Sequence, residues 1–282
     1  MSANGNQFRA GMPHLDVFGL SDSFCMADAG NRHWEIITRL TGLRPSEWKT
    51  VDGTRIYANF VYSNVRYDRR QVISEDDVVH VDCRPLGLRP PFVLTETSYR
   101  TEASGILLRV VLMSALTSKV GDSNSVFRRS ALSFRSTPFG VAAVERVRAR
   151  YKEMSVDTDQ VLSMQANYEV RPQIDFNAAN FLYFVNYARI FKAHEISGSD
   201  ATAPLLQREI SFFGNVDHSD TLVISARTEE RDTTASMTRS SDHKCIARSL
   251  SKRQLVDISR RQSEPLQARS TMLFKELDVA EQ

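Results

Sequence analysis

At 282 residues, with 41% hydrophobic and 25% charged side chains and a formal net charge of +2, the chain has the composition of a soluble globular protein of one large or two ordinary domains. Both signs of charge are interspersed, so nothing in the balance calls for nucleic acid or a membrane surface. The most apolar run, 105–116, is broken by Arg109 and too short to span a bilayer. The first residues, MSANGNQFRAG, lack the apolar core of a signal peptide. Cys25, Cys83 and Cys245 are odd in number and far apart, with neither metal spacing nor a disulfide framework, which suits a reducing cytoplasm. The histidines are dispersed, so no metal is expected. Nucleophile-elbow, Walker A, dinucleotide and H-E-x-x-H motifs are all absent from the sequence.

Residues 1–13 read as a mobile polar leader and 14–23 as loop or short extended structure. ADAGNRHWEIITRLTG predicts a helix capped by Asp28 or Asn31, with Trp34, Ile37 and Leu40 inward and Gly42 as its stop; Pro45 blocks any continuation. From Thr54 the period changes to two. Ile56, Ala58, Phe60 and Tyr62 point one way; Tyr57, Asn59, Val61 and Ser63 point the other. Strands are expected at 78–83, 92–100 and 106–116, with Pro90-Pro91 marking a turn. Together these elements form a first unit over 14–135. An arginine-rich surface helix near 139–153 sits in a linker spanning 136–162.

A second unit, 163–252, opens with a short strand at 165–171. The stretch 173–195 then predicts a helix whose stripe is Phe181, Phe184, Val185 and Ala188, widened by Leu182 and Phe191. Asn177 is its expected N-cap, and Asn180 its third helical position. Strands near 206–213, 221–229, 235–240 and 245–251 follow, and 253–282 reads as a charged tail, frayed or disordered. A helix apolar over so much of its circumference needs wrapping, and a curved antiparallel sheet around a helix is the hot-dog arrangement. A helix-and-strands unit appearing twice predicts an α+β, double hot-dog fold with its sheets joined edge to edge. The alternative is a single larger α+β domain. An exposed sheet edge leaves room for a homodimer.

Four segments taken together carry a resemblance: GMPHLDVFGLSDSFCMADAGNRHWEII, TRIYANFVYSNVRYD, DFNAANFLYFVNYARIF and REISFFGNVDHSDTL. In that order they resemble the acyltransferase/decarboxylase family of leinamycin-type polyketide pathways, over most of the chain. The resemblance implies a double hot-dog enzyme acting on methylmalonyl-CoA. Such an enzyme decarboxylates the acyl group and passes a propionyl unit to the phosphopantetheine arm of an acyl carrier protein. Coenzyme A enters as the thioester substrate, and no cofactor is bound. The family's acyl-carrying tyrosine matches Tyr57, with Tyr62 as the fallback.

Asn59 shares a strand face with Tyr57 and is placed to orient the thioester carbonyl or the phenol. The Asn177–Asn180 turn offers N–H groups where an enolate oxygen would form. Gly214 and Asn215 lie where a strand meets a turn. Arg128 and Arg129, with Arg135, suit coenzyme A phosphates or the acidic face of a carrier protein. The chain departs from the family at Ala178, Ala179 and Asn180, where glycines are usual, and bulkier residues there reshape the acyl pocket. Two rivals remain. A thioesterase or dehydratase on the same scaffold would place the chemistry on Asp175. A non-catalytic carrier-binding module would have its pocket closed by Phe176, Phe181 or Tyr183.

Overall fold

The computed structural model describes residues 6–68, 73–103, 105–121, 123–124, 126–130, 132–156, 164–195 and 203–254. In chain order, β1 (Gln7–Arg9) leads to a small hairpin of β2 (Leu15–Asp16) and β3 (Gly19–Leu20), then to α1 (Asp22–Thr41). Strands β4 (Ile56–Tyr67), β5 (Val78–Arg89), β6 (Phe92–Thr101) and β7 (Gly105–Lys119) follow, with the short β8 (Phe127–Arg129) and then α2 (Val141–Ser155). The second half holds β9 (Met164–Glu169), α3 (Pro172–Asp175), α4 (Phe184–Glu195) and strands β10 (Leu205–Phe212), β11 (Thr221–Glu229), β12 (Asp232–Arg239) and β13 (Cys245–Arg253).

Apart from the β2–β3 hairpin, the strands form one continuous 11-stranded sheet ordered β1-β5-β6-β7-β4-β10-β13-β12-β11-β9, with β8 on β7. The halves join where β4 meets β10 antiparallel, from Gln207 opposite Arg66 to Ser211 opposite Tyr62. Each half wraps its own helix, α1 against β4–β7 and α4 against β11–β13, and the two helices touch. Met26 and Ala29 of α1 share one core with Val185, Ala188 and Phe191 of α4. This is a double hot-dog fold. Helix α2 covers the other face, where Val144 packs on Tyr62, Leu94 and Met113.

Several local expectations change. Part of the expected mobile leader is strand, since β1 pairs with β5. Helix α1 begins earlier than Asp28, capped by Ser21, whose Oγ accepts from the Phe24 N–H at 3.4 Å. Its inner face is Cys25, Met26, Ala29, His33, Ile36 and Ile37, while Trp34 is 38% exposed. Ile37 and Leu40 pack inward as expected, but periodicity passed over the rest of the face because a small residue and a histidine occupy part of it. Gly42 does end the helix, at φ 72°, with its N–H bonded to the Thr38 carbonyl at 2.7 Å.

Helix α4 starts only at Phe184, so Asn177 caps no helix. The Asn177 Oδ1 instead accepts from the N–H groups of Ala179 (3.0 Å) and Phe181 (3.2 Å), and Asn180 takes φ 64°. Such a side-chain-to-backbone turn competes with helix for the same donors, and here it wins. The period of two along β4 breaks at a register shift between Phe60 and Tyr62. Ile56 and Ala58 therefore pack on the α1 side, whereas Tyr62 turns under α2. The expected tail from 253 onward lies outside the described residues beyond Gln254, as do residues 157–163 of the linker region. Among the described residues no helix is long and apolar enough to cross a membrane.

Candidate active site

Strand β4 runs on past the end of β10. Its pairing with β10 stops at Tyr62, leaving residues 57–61 beside a cavity of about 760 Å³. That volume suits an organic ligand of moderate size. One wall is β4 with Gly30, Asn31 and Trp34 of α1; the other is the loop between α3 and α4 and the loop after β10. The helices approach closely here: a Cβ on Gly30 would lie 2.8 Å from Phe184 Cζ.

Tyr57 opens onto this cavity. Its ring stands edge-on to Phe181 at 4.9 Å, and the Arg55 guanidinium carbon lies 5.8 Å from its centroid. Among the described residues no hydrogen bond engages the Tyr57 hydroxyl. Asn59, also on the wall, is pinned by an Nδ2 bond to Thr117 Oγ1 at 2.7 Å. Tyr62 sits elsewhere. Its hydroxyl donates to the buried Glu209 at 2.7 Å, and Glu209 accepts a paired contact from Arg150 at 2.9 Å on each oxygen. Burial, then the Glu209 charge, raise the Tyr62 hydroxyl well above the usual phenol value. Of the two candidate tyrosines, only Tyr57 meets the cavity.

On the opposite wall Asn215 ties two loops together: its Oδ1 accepts from the N–H groups of Leu182 (3.0 Å) and Val216 (2.8 Å). The Gly214 carbonyl accepts from the Tyr187 hydroxyl at 2.8 Å. Asn177 lines the cavity; Asn180 stands behind it, its carbonyl accepting from Asn124 Nδ2 at 2.7 Å and its Oδ1 2.6 Å from His218 Nε2. Asp217 completes this strap, accepting from the Asn124 N–H at 2.7 Å and from Ser123 Oγ at 2.9 Å.

The arginines divide differently from expectation. Neither Arg128 nor Arg129 lines the cavity. Arg128 donates to Ser118 Oγ at 3.2 Å and pairs with Asp52 at 3.6 Å, and Arg129 stacks over Phe92 at 5.6 Å. Arg55, passed over in the sequence, is the charged residue on the wall. Tyr151 of α2 was missed as well: it reaches the cavity and packs 5.3 Å from Phe213. Only the pairing of strands could reveal either, because both depend on where β10 ends. Burial raises the hydroxyls of Tyr151, Tyr183 and Tyr187 above the phenol value.

Asp175 is fully buried and engaged. It accepts from the Tyr168 hydroxyl at 2.9 Å, the Arg171 N–H at 2.8 Å and Arg189 at 2.7 Å, and it does not line the cavity. Phe181 and Tyr183 form wall without closing the cavity, and Phe176 packs on His218 instead. Among the described residues the wall thus offers phenols, amides, Thr117 and Arg55, but no carboxylate, imidazole, thiol or amine. At the start of α4 the backbone donors are largely engaged: Leu182 N–H on Asn215 Oδ1 at 3.0 Å, Tyr183 N–H on the Asp175 carbonyl at 2.8 Å and Asn186 N–H on the Tyr183 carbonyl at 2.7 Å.

No protein-family model matches this sequence, and no curated protein does either. Solved structures do match. An acyl-ACP thioesterase from Bacteroides thetaiotaomicron superposes with a TM-score of 0.62 at 9% identity, over 88% of this chain and 96% of that one. The 12:0-ACP thioesterase from Umbellularia californica gives 0.63 at 12% identity, over 88% and 95%. At such identities the likeness is one of fold.

Proposed function

We propose that this protein is an enzyme of acyl thioesters that takes an acyl group from coenzyme A onto Tyr57 and passes it to the phosphopantetheine thiol of an acyl carrier protein. The observation that carries this reading is Tyr57 itself, a hydroxyl without a hydrogen-bond partner among the described residues, on a cavity wall whose described residues include no carboxylate, imidazole or amine to activate water. The Tyr57 oxygen attacks the thioester carbonyl, the C–S bond breaks, and the phenol proton leaves on the departing thiolate. A carrier thiol then attacks the tyrosyl ester, the C–O bond breaks, and the proton returns to the phenolate. Phenols and thiols as classes have pKa values near ~10 and ~8.5, so the two acyl esters lie close in energy and transfer runs either way. An alkyl ester would hold the acyl group more firmly.

With a malonyl-type acyl group, as in the leinamycin-type family, decarboxylation belongs to the same site. The bond to the carboxylate breaks, its electron pair moves onto the carbonyl oxygen as an enolate, and the α-carbon then takes a proton from water. Phe184 at the start of α4 lines the cavity, and the positive dipole end of that helix would favour the oxyanion there.

Hydrolysis is the second reading, favoured by the thioesterase names of the superposing structures. Product analysis separates the two. Incubation with methylmalonyl-CoA, malonyl-CoA or propionyl-CoA and a phosphopantetheinylated carrier protein is expected to load the carrier in step with coenzyme A release. Free acid forming with the carrier left bare would establish the thioesterase instead.

A further inference from the structure

The free edge of β4 has a parity that the register reveals. The Leu116 N–H bonds to the Pro91 carbonyl at 2.9 Å, and the Leu116 carbonyl accepts from the Ser130 N–H at 2.9 Å. Both backbone groups of Leu116 therefore point away from β4. Ala58 lies opposite Leu116, so theirs is a non-hydrogen-bonded pair, and the Ala58 N–H and carbonyl turn toward the side β10 would occupy. The Ile56 N–H confirms this parity, bonding on that side to the Trp48 carbonyl at 2.9 Å. Phe60, opposite Ser114, follows the same alternation.

The edge is bounded at both ends. Trp48 and Lys49 close it at Arg55–Ile56, and β10 closes it from Tyr62 onward. Between them lie six residue steps, roughly 20 Å of strand, all lining the cavity from Tyr57 to Val61. Ala58 is only 5% exposed. Buried backbone donors and acceptors almost always find partners, and these face a cavity wide enough for a ligand.

We infer that the edge at Ala58 and Phe60 is the docking track for the substrate's pantetheine arm, which adds to the sheet as one more extended strand. The inference rests on the acyl-thioester reading of the site. The arm is an extended chain carrying two amides, each with a donor and an acceptor, so it matches what an open strand edge presents. Docked there, it runs beside Tyr57, whose own backbone groups are committed to β7.

Residue-resolved amide hydrogen exchange tests this, with pantetheine and coenzyme A as separate probes on the full chain. On saturation the Ala58 and Phe60 amides are expected to slow by about tenfold or more, the value of one buried hydrogen bond. Tyr57 and Asn59, already bonded to β7, are expected to keep their rates. A pantetheine analogue with its β-alanyl amide replaced by an ester is expected to bind about tenfold more weakly. Binding without protection at 58 and 60, equal slowing at all four amides, an ester that binds as well as the amide, or no binding by either probe would each overturn the proposal. Protection equal with both probes places recognition on the arm; protection with coenzyme A alone would move it to the nucleotide and overturn the track. The same exchange pattern in Tyr57→Phe separates docking from acylation, since the track survives even if Tyr57 proves not to carry the acyl group.

Discussion

On β4 the register shift between Phe60 and Tyr62 decides which tyrosine faces the cavity. Tyr57 stands before the shift, its hydroxyl engaged by no hydrogen bond among the described residues. Tyr62 stands after it, donating to Glu209 on the face covered by α2. The Tyr62→Phe variant is therefore expected to lose about 1–3 kcal/mol of stability, because Glu209 is left short of a donor in a buried place. Its acyl loading is expected to match wild type. Chemical denaturation reads the first outcome and acyl-adduct formation the second; a variant that is stable but unloaded would put the chemistry on Tyr62. Strand alternation, a local property, put Tyr57 and Asn59 on one face, but it was the family resemblance that singled Tyr57 out. The place of Arg128 was not legible. Nothing local says that Asp52 pairs with it while Arg55 faces the cavity.

At the scale of elements, the strands and Gly42 were readable from periodicity and turn chemistry, whereas helix starts were not. The run from Phe181 to Phe191 has helical spacing throughout, yet its first residues are loop, buried by tertiary packing rather than by a helical stripe. Asn177 holds that loop by accepting two backbone N–H groups. Asn177→Ala is expected to cost about 1–2 kcal/mol. It should also lower kcat more than it raises KM, because the loop positions the start of α4 against the cavity. Paired stability and steady-state measurements check this. Unchanged kcat with lowered stability would reduce Asn177 to a structural role.

In the molecule as a whole, two helices meet inside one sheet, and polar groups are buried at the junctions. Arg208 and Glu195 pair in the core at 2.8 Å, with Ser251 also donating to Glu195. His33 joins α1 to β6 and β7, its ring nitrogens 2.7 Å from Thr95 Oγ1 and 2.8 Å from Ser114 Oγ. Burial lowers the His33 pKa to about 3 from an ordinary 6.5, so the folded protein keeps this ring neutral. Between those values the unfolded chain binds a proton that the folded one does not. The His33 contribution is thus complete above about pH 6.5 and is lost as the pH falls toward about 3, by up to ~1.4 kcal/mol per pH unit. Urea denaturation from pH 7 to pH 4 is expected to show this slope in wild type and a shallower one in His33→Gln. Parallel curves would contradict it.

The whole-molecule outline, two helix-wrapped units joined edge to edge, follows from the repeated order of elements. Where β10 stops and leaves β4 uncovered does not follow from any local pattern, and that gap makes the cavity. At this gap Tyr57 is proposed to carry the acyl group. Intact-protein mass spectrometry of wild type and Tyr57→Phe, after brief exposure to methylmalonyl-CoA or propionyl-CoA, tests it most directly. Wild type is expected to carry an acyl adduct that is absent from the variant, with the adduct mass reporting whether carbon dioxide has left. An adduct of equal yield on Tyr57→Phe, or coenzyme A released at the same rate by both proteins with no adduct on either, would contradict it.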